Sequence, residues 1–130
     1  ISTDHAPHTM VEKGVSMKSA PFGIVGLETS VSLTITELVD KGWITPMQMA
    51  EKMSYNPAKV IGSNRGSLEV GKDADIVIFN PKKTYQIDKN NFASKGRNTP
   101  FDGRTVTGEV EYTICGGKMI YEKEMTGEKA

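Results

Sequence analysis

Residues 1–8 read Ile1-Ser2-Thr3-Asp4-His5-Ala6-Pro7-His8, and the fold turns on how this stretch is taken. The run from Ile1 to Thr3 is β-prone, Asp4 ends it, and Pro7 stops a strand from continuing because it has no N–H to give a ladder. A strand that ends in a carboxylate just before a turn presents that carboxylate at the C-terminal mouth of a sheet, where β/α barrels gather their reacting groups. A carboxylate there can ligate a divalent cation and can carry a proton between water and a leaving group. The same residues also read as an aspartate capping a loop, with His5 and His8, the two histidines of the chain, merely local to it.

Composition limits the classes that remain. At 130 residues the chain is about one domain long. Lys+Arg and Asp+Glu are 16 each, so the net charge is zero and no basic face of the kind a nucleic acid requires is implied. The single Cys115 cannot form an internal disulfide, which suits a reducing compartment, and its place in the apolar run Tyr112-Thr-Ile-Cys115 predicts a buried structural thiol. No apolar stretch approaches the roughly 20 residues that span a bilayer, and no basic segment precedes an apolar one at the start. A soluble, cytoplasmic protein is expected.

Working outward from the opening, the hydrophobic period changes near residue 65. Before it, GLETSVSLTITELVDKG (26–42) sets Leu27, Val31, Ile35, Leu38 and Val39 on one helical face, with Gly42 as the stop. Thr45-Pro46 reads as N-cap and first helical residue, with Gln48 at the capping-box position, opening a helix through Met53; Asn56-Pro57 repeats the device for a last turn ending at Gly62. Met17, Met47, Met49 and Met53 read as core filler. After Gly66, short β segments are separated by glycine and proline: SLEV (67–70), ADIVIFNP (74–81), TYQI (84–87) and RTVTGEVEYTICGGKMIYE (104–122). Residues 93–101 are too polar for a strand and lead into a Pro-Phe-Asp-Gly turn, and the charged tail after Tyr121 is expected to fray.

TDHAPH (3–8) followed by PFGIVGLET (21–29) resembles the eighth barrel strand and following loop of the dihydroorotases, cyclic amidohydrolases of pyrimidine synthesis. NPAKVIG (56–62) and GSLEVGKDADIVIFNP (66–81) resemble the passage from barrel to small β domain across the amidohydrolase superfamily, and SKGRNTPFDGRTVTGEV (94–110) is closer to dihydroorotases than to allantoinases or dihydropyrimidinases. The resemblance implies an α/β fold: the end of a TIM-type (β/α)8 metal-dependent hydrolase barrel over residues 1–65, then part of a small β-sandwich domain over 66–130. It implies that the chain is the C-terminal piece of the enzyme, beginning inside its active site and inactive alone.

The activity it implies is reversible, zinc-dependent hydrolysis of dihydroorotate to N-carbamoyl-L-aspartate. Asp4 matches the family's metal ligand and proton shuttle. His8 matches its substrate-contacting histidine, and Phe22 with Gly23 the loop whose backbone meets the substrate. His5 and Pro7 complete the motif without an assigned role. One or two zinc ions would need further ligands, since one carboxylate is short of the about three that a catalytic site takes. A homo-oligomer is expected, with aspartate carbamoyltransferase as a further partner. Three other readings stay open: a non-catalytic scaffold for that transferase, another cyclic amidohydrolase, and a free-standing β-rich interaction module.

Overall fold

In the computed structural model, which describes residues 1–123, short helices precede a three-stranded antiparallel sheet. Helix α1 spans Met10–Lys13, α2 Ser30–Thr34, α3 Pro46–Ala50 and α4 Asn56–Val60; strands β1, β2 and β3 span Ile76–Gln86, Thr105–Cys115 and Lys118–Glu122, in sheet order β1-β2-β3. No helix among the described residues is long and apolar enough to cross a membrane. The tail expected to fray lies, from residue 124 on, outside the described residues.

The expectation of the end of a TIM-type (β/α)8 barrel followed by part of a β-sandwich is corrected here. The described residues hold no barrel strand and one sheet, not two: the opening stretch makes a single parallel bridge, His5 to Ile24, and all strand pairing is antiparallel. The physical reason is that no neighbouring strand among the described residues receives Ile1–Thr3, and the residues after them cannot extend a ladder. Asp4 takes a left-handed φ of 47°, which an extended ladder does not accommodate, and Pro7 lacks the donor that a next bridge would need.

The helical half follows its local signals. Thr45 accepts from the Gln48 N–H while the Gln48 side chain accepts from the Thr45 N–H, with Pro46 at the first helical position, as the capping box predicts. Asn56, read as a second N-cap, is instead helical. A wide, five-residue π-helical turn, Glu51–Tyr55, joins α3 to α4, and the Asn56 N–H reaches back to the Glu51 carbonyl. Pro57 follows immediately, and a widened turn is one way for a helix to continue past a ring that can donate no hydrogen bond.

A second such turn, Ile35–Val39, extends α2 to Gly42, whose φ of 73° ends it. Leu27, placed by periodicity on the buried face, lies before the helix and is 59% exposed. Of the four methionines read as filler, Met49 is buried and Met53 half-buried, while Met17 and Met47 point outward.

The sheet is pinned to α2 by one knob and one hydroxyl. Ile35 is 3% exposed and fills the space that Gly108 of β2 leaves open; a Cβ on Gly108 would stand 2.3 Å from the Ile35 Cδ1. Thr36 Oγ1 donates to the Ser32 carbonyl at 2.8 Å and accepts the Thr107 N–H at 2.8 Å, tying helix to strand. The expected segments ADIVIFNP and TYQI fuse into β1, with the irregularity between Asn80 and Thr84 absorbing Pro81. Gly116 and Gly117, both at positive φ, make the two-residue turn between β2 and β3.

SLEV is not a strand. Leu68 and Val70 are exposed and no partner pairs with them, so β propensity found no ladder to join. Cys115 is also corrected: it is the last residue of β2, at the hairpin turn, and is exposed rather than buried.

Candidate functional site

The opening segment runs beside residues 23–26, and contact between them depends on absent side chains. The Ala6 N–H donates to the Ile24 carbonyl at 2.9 Å. Gly23 takes a φ of 121°, and a Cβ there would come within 2.6 Å of both the Cβ and the carbonyl oxygen of Ala6. At Gly26 a Cβ would meet the Thr3 carbonyl oxygen at 2.9 Å. The resemblance placed Gly23 in a substrate-meeting loop; the structure adds an internal reason for glycine there, because no other residue fits against the Asp4–His8 turn.

The polar loop 93–98 closes over both segments. Glu28 accepts the N–H groups of Ala93 and Ser94 at 2.8 and 3.1 Å. The Asn98 side chain donates to the Gly23 carbonyl at 2.9 Å, and the Val25 N–H donates to the Asn98 carbonyl at 3.0 Å. Gly96 is buried where a Cβ would strike Val25, Pro7 and the backbone of His8. Three stretches far apart in sequence are thus held as one unit by hydrogen bonds to main-chain groups, made largely by Glu28 and Asn98, and Asp4 and Phe22 take no part in them.

Asp4 is exposed, at the left-handed φ already noted, and Phe22 is 97% exposed. Strained backbone at a non-glycine residue is a recurring mark of functional positions. His8 is half-buried, its Nδ1 3.7 Å from a Glu12 carboxylate oxygen. It lines a cleft of about 250 Å³ with Lys13, Lys89, Arg97 and Asn98. Asp4 and Phe22 do not line that cleft. Lys89 is paired with Asp102 at 2.9 Å, Lys13 donates to the Pro21 carbonyl at 2.5 Å, and Arg97 donates to the Ser94 and Gly96 carbonyls. The cleft wall therefore carries three basic side chains, with Lys89 balanced by Asp102 and with Lys13 and Arg97 anchored on backbone carbonyls.

Glu12 belongs to the frame of this cleft. Its carboxylate accepts the Thr9 N–H at 2.7 Å and the Thr9 hydroxyl at 2.9 Å, while the Glu12 N–H donates to Thr9 Oγ1 at 3.2 Å, a complete capping box on α1. The bond from the Thr9 backbone, then that from its hydroxyl, hold the Glu12 carboxyl below its ordinary value, with His8 adding to the same direction.

Sequence reasoning missed several members of this unit. His5 had no assigned role, yet its Nδ1 accepts the N–H groups of Gly26 and Leu27 at 3.0 and 3.3 Å. Asn98 and Glu28 act across 75 and 65 residues, separations at which no local pattern points from one partner to the other. Helix α1 does carry a signal, Thr9-x-x-Glu12, over a single helical turn.

A metal does not fit the described residues by themselves. Among them no three His, Cys, Asp or Glu side chains are grouped to hold an ion, so Asp4 offers one ligand and not a site.

Comparison with known proteins places the chain. Dihydroorotases of Pelotomaculum thermopropionicum and Clostridioides difficile are 53% and 50% identical over 94% and 93% of it. The chain spans 29% and 28% of the length of those two relatives. Among solved structures, L-hydantoinase from Arthrobacter aurescens is similar with a TM-score of 0.77 at 35% identity, covering 83% of this chain and 24% of that one. Dihydropyrimidinase from Brevibacillus agri reaches a TM-score of 0.85 at 28% identity, covering 92% of this chain and 27% of that one. The amidohydrolase family model matches residues 1–120 as one block opening at the first residue, and with this the assignment of the chain to a barrel's end with part of a sandwich attached is withdrawn. The helices, the clasped opening turn and the sheet up to residue 120 fall together within that match, and the chain belongs to the amidohydrolase family.

Proposed function

We propose that the protein to which this chain belongs is a dihydroorotase, opening the ring of dihydroorotate to N-carbamoyl-L-aspartate and closing it in the biosynthetic direction of pyrimidine synthesis. The observation that carries this reading is the cleft beside His8, whose wall holds Lys13, Lys89, Arg97 and Asn98. Dihydroorotate bears a carboxylate that dihydropyrimidine and hydantoin rings lack, and guanidinium, ammonium and amide N–H groups are what a carboxylate requires. Relatives that are 43–53% identical and are dihydroorotases support the same choice over the hydantoinases resembled in structure.

In this reading Asp4 is the catalytic residue. Its carboxylate takes the proton of the water whose oxygen attacks the ring carbonyl carbon, and returns that proton to the ring nitrogen as the C–N bond breaks. The reverse reaction uses the same carboxylate to remove the proton from the carbamoyl nitrogen. His8 binds the substrate, and the backbone of Phe22 and Gly23 approaches it from the other side. Asp4 is also proposed as one metal ligand. One or two zinc ions are the proposed metal of the whole protein, and no step here is routed through them because the described residues do not make a site.

Residue 65 is proposed as the boundary between two halves, supported by the placement of α1–α4 before it and β1–β3 after it. A cytoplasmic homo-oligomer is proposed, supported by an apolar groove of about 760 Å³ between α3 and β1; aspartate carbamoyltransferase is the alternative partner. The activity is tested with the whole protein containing this chain, offered dihydroorotate, dihydrouracil and hydantoin in parallel. Preferential opening of dihydroorotate is expected. Turnover of either uncharged ring with dihydroorotate untouched would overturn the proposal.

A further inference from the structure

We infer that His5 is a positioning residue: its imidazole Nδ1, by accepting two backbone N–H groups, sets the turn that carries Asp4 and His8 against the glycine strip at 23–26. The inference rests on the reading of Asp4 given above for its catalytic consequence, but not for the tie itself.

The two segments run side by side without a ladder to hold them. They share one parallel bridge and one backbone hydrogen bond, from Ala6 N–H to the Ile24 carbonyl. One direct backbone bond does not by itself fix the register of the pair, even with the loop 93–98 closed over both segments. His5 supplies two more bonds, to the N–H groups of Gly26 and Leu27 at 3.0 and 3.3 Å, and neither of these N–H groups is taken by a backbone carbonyl. The missing Cβ atoms of Gly23 and Gly26 let the backbones approach; the imidazole decides the register at which they stay.

The contact also fixes the ring. A nitrogen that accepts two N–H groups carries no proton, so the neutral ring carries its proton on Nε2. The side chain next to Asp4 is then held in one tautomer and one orientation, with a donor on its far side. Asparagine can place an Oδ1 acceptor where Nδ1 stands; leucine matches the bulk and offers no acceptor.

The test has two arms. In the whole protein containing this chain, long-range proton–nitrogen spectra of His5 should show Nδ1 bare and Nε2 protonated, and amide exchange at Gly26 and Leu27 should be slow. H5L should speed exchange at those two amides, and H5N should restore it. A proton on Nδ1, or unchanged exchange in H5L, would overturn the inference.

In the whole protein, H5L should lower kcat for dihydroorotate by about 10- to 100-fold, as misplacement of a reacting group by about 1 Å does, with a smaller change in KM and recovery in H5N. Full turnover in H5L, in a protein that Asp4→Asn inactivates, would overturn the positioning role. Full turnover in both variants would overturn the assignment of Asp4 instead, and the exchange arm would still decide whether His5 makes the tie.

Discussion

Two close approaches in this molecule are built on glycine, and they spend their side chains differently. Where α2 meets β2, Gly108 makes a socket and Ile35 fills it, so the contact consumes an apolar side chain and buries it. Where the opening turn meets residues 23–26, Gly23 and Gly26 let main chain meet main chain, and the bonds that hold the contact come from Ala6, His5 and Asn98. Asp4 and Phe22 take no part in that grip and remain exposed. A packed socket stabilises a fold at the cost of the residues in it; a main-chain clasp positions residues while leaving them available for chemistry.

The comparison breaks most decisively at Asp4. If the clasp positions this carboxylate rather than using it for stability, Asp4→Asn in the whole protein lowers turnover of dihydroorotate by about 100- to 10,000-fold, the range that a positioned acid or base contributes. Thermal melting should stay within about 0.5 kcal/mol of the parent, as for surface positions without a structural role. Steady-state kinetics beside a melting curve reads both, and a variant that keeps its turnover removes Asp4 from the mechanism.

Gly23→Ala comes next and attacks the clasp itself. The new Cβ would stand 2.6 Å from the Ala6 carbonyl oxygen, which is backbone and cannot rotate away, at a φ of 121° that alanine rarely adopts. The damage should be local: faster amide exchange at Ala6 and Val25, and turnover down by about 10- to 100-fold. Gly108→Ala should do the opposite. There the collision is with the side chain of Ile35, whose tip can turn although its Cβ cannot, so about 1–3 kcal/mol of overpacking adds to the strain of a φ of 95° that alanine also rarely adopts. It should appear in global unfolding by denaturant, with exchange at Gly26 and Leu27 changed only in proportion. Equal patterns in the two variants would dissolve the distinction between clasp and socket.

What could be read in the sequence divides along the same line. The capping box at Thr45-Pro46-Gln48 and the stop at Gly42 were legible because each is decided within a few residues by cap chemistry, whereas the run 104–122, read as one β segment, is split by the turn at Gly116-Gly117. Asp4, His8, Phe22 and Gly23 were singled out from a motif, and the structure brings their segments together. SLEV and Cys115 were misread because β propensity and apolar neighbours say nothing about whether a partner strand covers them. The grip of His5 on Gly26 spans 21 residues, and the socket of Ile35 in Gly108 spans more, so neither has a local signature. The expected barrel strand failed for a related reason: a β-prone run becomes a strand only where a ladder receives it.

The smallest effect expected lies at the edge of the clasp, in the capping box of α1. The Glu12 carboxylate accepts from both the backbone and the hydroxyl of Thr9, and these bonds depress its titration from the ordinary 4.5. A group whose folded value is lowered binds protons more weakly when folded, so its contribution is present above the unfolded value and is lost as the pH falls through the folded one. On acidification below 4.5 the cap should therefore loosen, with faster exchange at the Thr9 and Glu12 amides. Glu12 is exposed, so solvent keeps the effect small. E12Q retains an acceptor and removes the titration, and it should flatten the pH dependence at those amides without abolishing the helical turn. An unaltered acid response in E12Q would place the sensitivity elsewhere in the clasp and remove Glu12 from the frame that holds His8.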